Sequence, residues 1–280
     1  MSIKKAAVIF ILLLFVPFFL GAQTSPKEFL GHKVGADRKL ADYNQIQAYF
    51  HKLEQESGKL KVLTIGETTL GKPMILAVIT SEKNMERLDT YRQIARRLSQ
   101  ARDLSQEEAK ELARKGKVIV LITCNLHADE IGSSQEALEF AYRLIAGKTP
   151  FDADKILDEV IVLLVPTANP DGQQMVTDWY RKNLDTKYEG GPMPWLYHYY
   201  AGHDNNRDYA FNLAETRAIC KVLYHDWFPQ IYDDKHQTWP YRIRCFVPPF
   251  VDPADPAIHP LVFSGLNLVG TNMAYDLQKK

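Results

Sequence analysis

The chain has 280 residues, 46% of them hydrophobic and 24% charged, an ordinary globular composition that is enough for one large domain or two small ones. Lysine plus arginine and aspartate plus glutamate number 34 each, so the net charge is zero and no basic excess indicates a nucleic-acid partner. The cysteines are widely spaced and form no CxxC pair or disulfide framework, so we interpret them as small buried hydrophobic side chains: Cys124, Cys220 and Cys245.

Residues 1–23 have the pattern of a secretory signal peptide. The two lysines of MSIKK precede an apolar run and then the small residues of GAQTS. The apolar run has about 15 residues, whereas a membrane-spanning helix needs about 20. We therefore expect cleavage near Ala22 or Gln23, export to the periplasm or the medium, and no stable membrane span afterwards. An uncleaved anchor is the alternative.

The mature region, residues 24–280, begins with alternating helix and strand patterns. The segment 41–57 predicts an amphipathic helix, because its apolar residues recur every three or four positions: Tyr43, Ile46, Tyr49, Phe50 and Leu53. Residues 59–80 predict two strands joined by a glycine-containing turn. The charge-rich segment 84–115 predicts a pair of helices.

The second half continues the alternation. GKVIVLITCNLHADE predicts a strand over 118–124, followed by a helix that ends before Gly147. A second apolar strand precedes NPDG, which we interpret as a turn without direct chemistry. LAETRAICKVLYHDW predicts a helix and PQIYDDKHQ a strand. Strands that are apolar on both faces predict an α/β fold: a three-layer sandwich with a mixed, largely parallel central sheet flanked by helices, in one domain.

Polar clusters follow three of these strands, at the sheet edge where functional groups collect in such folds. HADE follows strand 118–124, NPDG follows strand 160–166, and His236 ends the strand near 230–234. Two imidazoles and one carboxylate suit a catalytic zinc ion, which keeps a fourth position for a water made acidic by the metal. His51 and Glu54 have the same HxxE spacing as His127 and Glu130, but they lie on the amphipathic helix and are interpreted as surface residues.

The ordered set HADE, NPDG, WYRKN, DNNRDY and a strand ending in His236 resembles the zinc metallocarboxypeptidase family, the carboxypeptidase A-like peptidases. The resemblance covers residues 40–245 except the insertion at 84–115. It implies one Zn²⁺ ion held by His127, Glu130 and His236. It also implies an exopeptidase that removes C-terminal residues from peptides through a metal-activated water.

The resemblance implies further roles. Asn206 and Arg207 match the pair that receives the free carboxylate of the substrate, for which a guanidinium fork is well suited. Arg181 matches the arginine that polarises the scissile carbonyl. Asp204 matches the carboxylate that orients the first zinc histidine. Surface positions remain alternative interpretations for Arg207 and Arg181.

The other histidines have no comparable constellation. His203 is interpreted as a supporting residue because it is near the site in sequence. The remaining ones are interpreted as structural or exposed: His32, His198, His225 and His259.

The sequence departs from the family where the proton shuttle is expected. The family's glutamate lies on a late strand after the third zinc ligand, but no glutamate follows Glu215 here. The remaining acids are Asp252, Asp255 and Asp276. The family's late tyrosine and specificity-pocket residue are also expected beyond Lys280. The pattern therefore predicts an N-terminal part of a longer protein, with a fold incomplete at the C-terminus.

Other functional classes stay open. A similar zinc scaffold occurs in deacylases of N-acyl amino acids and in amidases that trim cell-wall peptides, and Arg207 suits any substrate with a free carboxylate. A natural short chain without the base would instead be an inactive exported zinc-binding module.

Overall fold

The structure is a computed structural model that describes residues 22–238, 246–249 and 255–279. Residues 1–21 of the predicted signal peptide lie outside this part of the chain, as do Cys245 and Asp252. The chain divides after His236 into two compact units, residues 1–236 and 237–280.

One mixed sheet organises the first unit. Its strands, as far as the structure describes the chain, are β1 (Leu60–Glu67), β2 (Pro73–Ile79), β3 (Val118–Cys124), β4 (Val160–Val165) and β5 (Ile231–Lys235). Their order is β1-β2-β4-β3-β5. β2 is antiparallel to both neighbours, whereas β4, β3 and β5 are mutually parallel, so β2 alone opposes the direction of the other four. The predicted mixed, largely parallel sheet is confirmed.

Helices flank this sheet. In the first unit they are α1 (Pro26–Leu30), α2 (Tyr43–Glu56), α3 (Glu82–Met85), α4 (Leu88–Ser99), α5 (Gln106–Lys115), α6 (Gly132–Ile145), α7 (Ala153–Glu159), α8 (Pro170–Asn183) and α9 (Ala214–Lys221). A π-helical turn, Val222–Asp226, extends α9. These helices confirm the predicted α/β class.

The core lies on both faces of the sheet. Along β4, Val162 and Leu164 pack with α2 and α6, whereas Leu163 packs on the other face with α4 and Trp227. Successive side chains of a strand point to opposite faces. The apolar runs are therefore continuous because both faces are covered by helices, as the sequence predicts.

α2 forms as the periodicity predicts. Asp42 caps it by accepting from the Gln45 backbone N–H. The Gln45 side chain in turn accepts from the Asp42 backbone N–H, which completes a capping box. Its buried residues are the predicted ones: Tyr43, Ile46, Tyr49, Phe50 and Leu53.

The interpretation of NPDG as a turn is wrong, because these residues begin α8. The Asn169 side chain accepts from the Gly172 N–H at 2.9 Å, and Pro170 occupies the first helical position. An asparagine followed by a proline favours the start of a helix for two reasons. The asparagine side chain accepts from a backbone N–H that has no partner within the helix, and proline at the first position has no N–H that needs a partner.

The second unit contains α10 (Pro260–Gln278), which the sequence analysis did not predict. Many of its apolar side chains are exposed, including Leu261, Leu268 and Leu277. Within the described ranges, no helix combines the length and apolar character needed to cross a membrane.

Candidate metal centre

The loop after β3 is held in shape by Asn125, which is fully buried and has φ of +58°. Its side-chain amide lies 3.2 to 3.4 Å from the carbonyl oxygens of His127, Ala128 and Glu130, and so can donate to all three. Asparagine tolerates this left-handed conformation better than most residues. Asn125 therefore turns the chain sharply and directs both HxxE side chains to one side.

His127, Glu130 and His236 converge at the sheet edge. Glu130 Oε1 lies 3.0 Å from His127 Nδ1, and Glu130 Oε2 lies 3.1 Å from His236 Nδ1. One ligand atom from each of the three residues lies within 4.8 Å of the others. The structure thus brings together the three residues that the sequence analysis selected as metal ligands.

The sheet register explains why residues 109 positions apart in sequence meet here. β3 and β5 are parallel neighbours, with Cys124 paired to Lys235. Both strands therefore end at the same edge, where His127 follows β3 and His236 follows β5. The carboxyl ends of these parallel strands therefore bring the two histidines together, as the sequence analysis predicts.

Each histidine also has a carboxylate next to its Nε2 atom, the outer nitrogen, which faces away from Glu130. Asp204 Oδ1 is 3.1 Å from His127 Nε2, and Asp234 Oδ2 is 3.1 Å from His236 Nε2. Asp204 is the carboxylate predicted for the first histidine. Asp234 was not predicted, because a polar residue on a half-exposed strand resembles ordinary surface alternation.

The contacts between these aspartates and the histidines change the pKa values of the groups involved. Burial raises the pKa of Asp204, but bonds from the Asn206 N–H and His127, with the charge of Arg207, outweigh it and lower this pKa overall. The hydrogen bond with Asp234 raises the pKa of His236.

The donor set fits a metal cation. If each Nε2 donates its proton to its aspartate, the Nδ1 lone pairs of both neutral imidazoles face the Glu130 carboxylate. Electron pairs that meet without a proton repel one another, and a bound cation at their centre would remove this repulsion. Two imidazoles and a carboxylate are suitable zinc ligands.

Asn205–Arg207 forms a short 3₁₀ turn beside this cluster. Asp204 caps it by accepting from the Asn206 N–H at 2.8 Å, and Asn205 anchors it by donating to the Leu126 carbonyl at 2.7 Å. The Asn206 side-chain nitrogen lies 3.4 Å from His236 Nε2. Arg207 is exposed and donates to the Asn206 carbonyl at 2.8 Å. Asn206 and Arg207 thus lie next to the candidate metal ligands.

Arg181 lies elsewhere in the fold. It belongs to the last turn of α8 and forms an ion pair with Asp42 at the start of α2. It also donates to the Leu40 carbonyl at 2.8 Å and to Gln45 Oε1 at 2.7 Å. Within the described residues, no hydrogen bond joins Arg181 to the histidine cluster. Its proposed role at the scissile carbonyl stays a prediction.

The NPDG motif packs closely against residues 125–131, the loop that carries His127 and Glu130 and is called the metal loop below. A Cβ atom on Gly172 would lie 2.7 Å from the Cβ of Ala128, which sits between His127 and Glu130. Asn169 donates to the Leu126 carbonyl at 3.3 Å. The motif therefore fixes the start of α8 against the loop, a role that sequence reasoning missed.

Tyr197 is another residue that the sequence did not single out. Burial raises the pKa of its phenol, and the nearby carboxylate of Asp129, to which it is hydrogen-bonded, adds to this effect. The charges of Asp204 and Glu130 also act on it, so the phenol lies close to the candidate centre.

The remaining histidines and cysteines largely match their interpretation. His51 and Glu54 form a 3.3 Å pair on the solvent-facing side of α2, away from any third ligand among the described residues. His203 contacts Asp208 at 3.1 Å. Cys124 is buried, and Cys220 is half-buried.

A family comparison agrees with this geometry. The peptidase M14 family model, described as zinc carboxypeptidase, matches residues 46–234, more than half of the chain. The chain belongs to the zinc carboxypeptidase family. The match includes His127 and Glu130 and ends two residues before His236. No curated protein matches the chain.

Solved structures of carboxypeptidases are similar over part of their length. Carboxypeptidase A from Helicoverpa armigera is 14% identical, with a TM-score of 0.48 over 76% of this chain and 52% of that one. Thrombin-activatable fibrinolysis inhibitor is 13% identical, with a TM-score of 0.47 over 79% and 51%. A metallo-carboxypeptidase from Burkholderia cenocepacia is 20% identical, with a TM-score of 0.42 over 69% and 40%. The chain thus spans about half of these proteins or less.

Proposed function

We propose that the chain forms the zinc-binding part of an exopeptidase that removes C-terminal residues from peptides. The observation that carries this proposal is the convergence of His127, Glu130 and His236, together with membership of the zinc carboxypeptidase family. These three side chains would hold one Zn²⁺ ion. Bound zinc supplies Lewis acidity and makes water a sufficient nucleophile near neutral pH.

The residues beside the ligands support recognition of a terminal carboxylate. Arg207 is exposed, and it follows Asn206, whose side chain reaches His236. A guanidinium group can make two parallel bonds to a carboxylate, and the Asn206 amide can add a third. In this proposal Asn206 and Arg207 hold the free carboxylate, so that the last peptide bond faces the metal.

The described residues offer no clear candidate for the glutamate that would transfer the proton. Glu215, the last glutamate, is 4% exposed and already accepts from the Thr69 N–H at 2.7 Å and the Thr69 hydroxyl at 3.1 Å. The acids that follow Glu215 and the third candidate ligand, His236, are aspartates, whose side chains are shorter than that of glutamate: Asp252, Asp255 and Asp276. We therefore propose that these 280 residues bind zinc and terminal carboxylates but hydrolyse peptides slowly.

Export is a further part of the proposal. The test is the N-terminus of the protein recovered from an extracytoplasmic fraction, which we expect to begin at Gln23 or Thr24. Recovery of the chain only in membranes, with residues 1–23 still attached, would favour the uncleaved anchor.

The test of carboxylate recognition compares two ligands of the zinc-loaded protein by calorimetry: an N-acylated dipeptide and its C-terminal amide. We expect the acid to bind at least about tenfold more tightly, a difference of about 1.4 kcal/mol. Arg207→Ala should abolish this difference. The matched control is Arg143→Ala, which removes an exposed arginine from α6.

Equal binding of acid and amide by the wild type would contradict the exopeptidase proposal. Zinc content that remains normal in that case would leave the metal site intact and favour an endopeptidase or amidase.

A further inference from the structure

Asp234 links the third candidate ligand to the interior of the sheet. Its Oδ2 atom lies 3.1 Å from His236 Nε2, and its Oδ1 atom accepts from the Thr123 hydroxyl at 2.5 Å. Thr123 is fully buried, and the Asp234 side chain is 26% exposed. One carboxylate thus joins an exposed imidazole to a buried hydroxyl.

The strand register creates this arrangement. Thr123 of β3 is paired directly with Asp234 of β5. Tyr232, two positions earlier on β5, lies on the same face, and its hydroxyl is 3.1 Å from that of Thr123. The contacts therefore run from Tyr232 through Thr123 and Asp234 to His236 on one face of the sheet.

His236 needs such a constraint more than His127 does. Its side chain is 32% exposed, compared with 18% for His127, so packing restrains the ring less. An imidazole carries two different nitrogens, and the bond made by one nitrogen determines which of them is free for a metal. A carboxylate on the outer nitrogen fixes both the ring and its tautomer.

We propose that Asp234, held in place by Thr123, is the positioning residue of His236: it accepts the Nε2 proton and leaves the Nδ1 lone pair facing Glu130 and the metal. This inference rests on the proposed metal site and deepens it. Asp204 occupies the corresponding position on His127. Each histidine of the centre then has its own orienting carboxylate.

The test uses three variants and one control. Asp234→Ala removes the acceptor, Asp234→Asn removes its charge, and Thr123→Val removes the supporting hydroxyl with little change in shape. The control is Asp233→Asn, because Asp233 is the adjacent residue of β5 and points to the opposite face of the sheet. Thermal melting establishes that each variant is folded.

Two measurements apply to every variant. Competition with a chelator gives the zinc affinity, and NMR correlation of ring carbon protons with ring nitrogens gives the tautomer of His236. We expect Asp234→Ala to weaken zinc binding about 10- to 100-fold and to populate both tautomers. Thr123→Val should weaken it about 2- to 10-fold, the effect of one hydrogen bond. Asp233→Asn should change neither quantity.

Wild-type zinc affinity and an unchanged Nε2–H tautomer in both Asp234 variants would overturn this inference. If Asp234→Ala does not fold, the same two readings on Thr123→Val decide the matter. The variant His236→Ala distinguishes a failure of the metal site from a failure of the role assigned to Asp234. If it loses zinc while Asp234→Ala does not, the metal site stands and the role of Asp234 fails. If it retains zinc, the metal site itself fails.

Discussion

Removal of the Asp204 carboxylate should weaken both parts of the centre at once. Asp204 Oδ1 is 3.1 Å from His127 Nε2 and accepts from the Asn206 N–H at 2.8 Å. The first contact is made to a candidate metal ligand, and the second caps the turn that carries Arg207. Asp204→Ala removes both contacts, whereas Asp204→Asn keeps one amide oxygen that can accept both hydrogen bonds.

The two contacts give separate magnitudes. Loss of an orienting carboxylate costs about 10- to 100-fold in metal affinity, or about 1.4 to 2.8 kcal/mol. The Asp204 side chain is 45% exposed, so water replaces part of the interaction and the lower half of this range is expected. Loss of the cap costs about 1 kcal/mol, which corresponds to about fivefold weaker carboxylate binding.

The assay is chelator competition for zinc, followed by calorimetry with the N-acylated dipeptide. Asp204→Ala should show both losses and Asp204→Asn smaller ones. Asp178→Asn, which changes an exposed aspartate of α8, is the control and should show neither. Wild-type zinc affinity in folded Asp204→Ala would refute the argument that this carboxylate orients His127.

Four further predictions concern the rest of the chain. Arg181→Ala should lower the melting temperature, because it removes the ion pair with Asp42 and leaves the junction of α8 and α2 unsupported. Gly172→Ala should lower both the melting temperature and the zinc affinity, because its Cβ atom would force Ala128 and the metal loop to move. Cys124 should resist thiol reagents at pH 8 in the folded protein, because burial raises its pKa to about 12 and encloses the thiol. The zinc-loaded 280-residue chain should hydrolyse peptides more slowly than about 1 s⁻¹, the low end of ordinary enzymes.

Each of these predictions has its own control. Arg143→Ala should leave the melting temperature unchanged. If Arg181→Ala also left it unchanged, the structural role assigned to Arg181 would be wrong. Gly265→Ala adds a methyl group to open space on α10, so it should not destabilise the chain. Cys124 should react once the protein is unfolded in denaturant, and rapid reaction in the native state would contradict its burial. Zinc-dependent turnover above about 1 s⁻¹ would show that a base exists among these residues.

The candidate ligand residues could be selected from the sequence because they lie where parallel strands end. An apolar strand followed by HADE, and a second strand followed by His236, place three candidate ligands of two chemical types at one edge without any knowledge of side-chain contacts. The helix α2 was predictable for a similar reason, since its 3–4 spacing admits only one buried face.

Other features could not be read from the sequence. Asparagine, proline and glycine signal both turns and helix starts, so NPDG was assigned to the wrong one. Asp234 became visible only through its contacts with Thr123 and His236. The position of Arg181 depends on how α8 packs against α2, which motif order does not determine. The helix α10 was not predicted because its apolar residues are spread around the helix and do not recur with the spacing of a single buried face.

The zinc content of the purified protein tests the central claim most directly. Elemental analysis should give one zinc ion per wild-type chain and none in the double variant His127→Ala, His236→Ala. The matched control is His51→Ala, which disrupts the other HxxE pair and should retain one zinc ion. Equal zinc content in the wild type and the folded double variant would contradict the assignment of the metal centre.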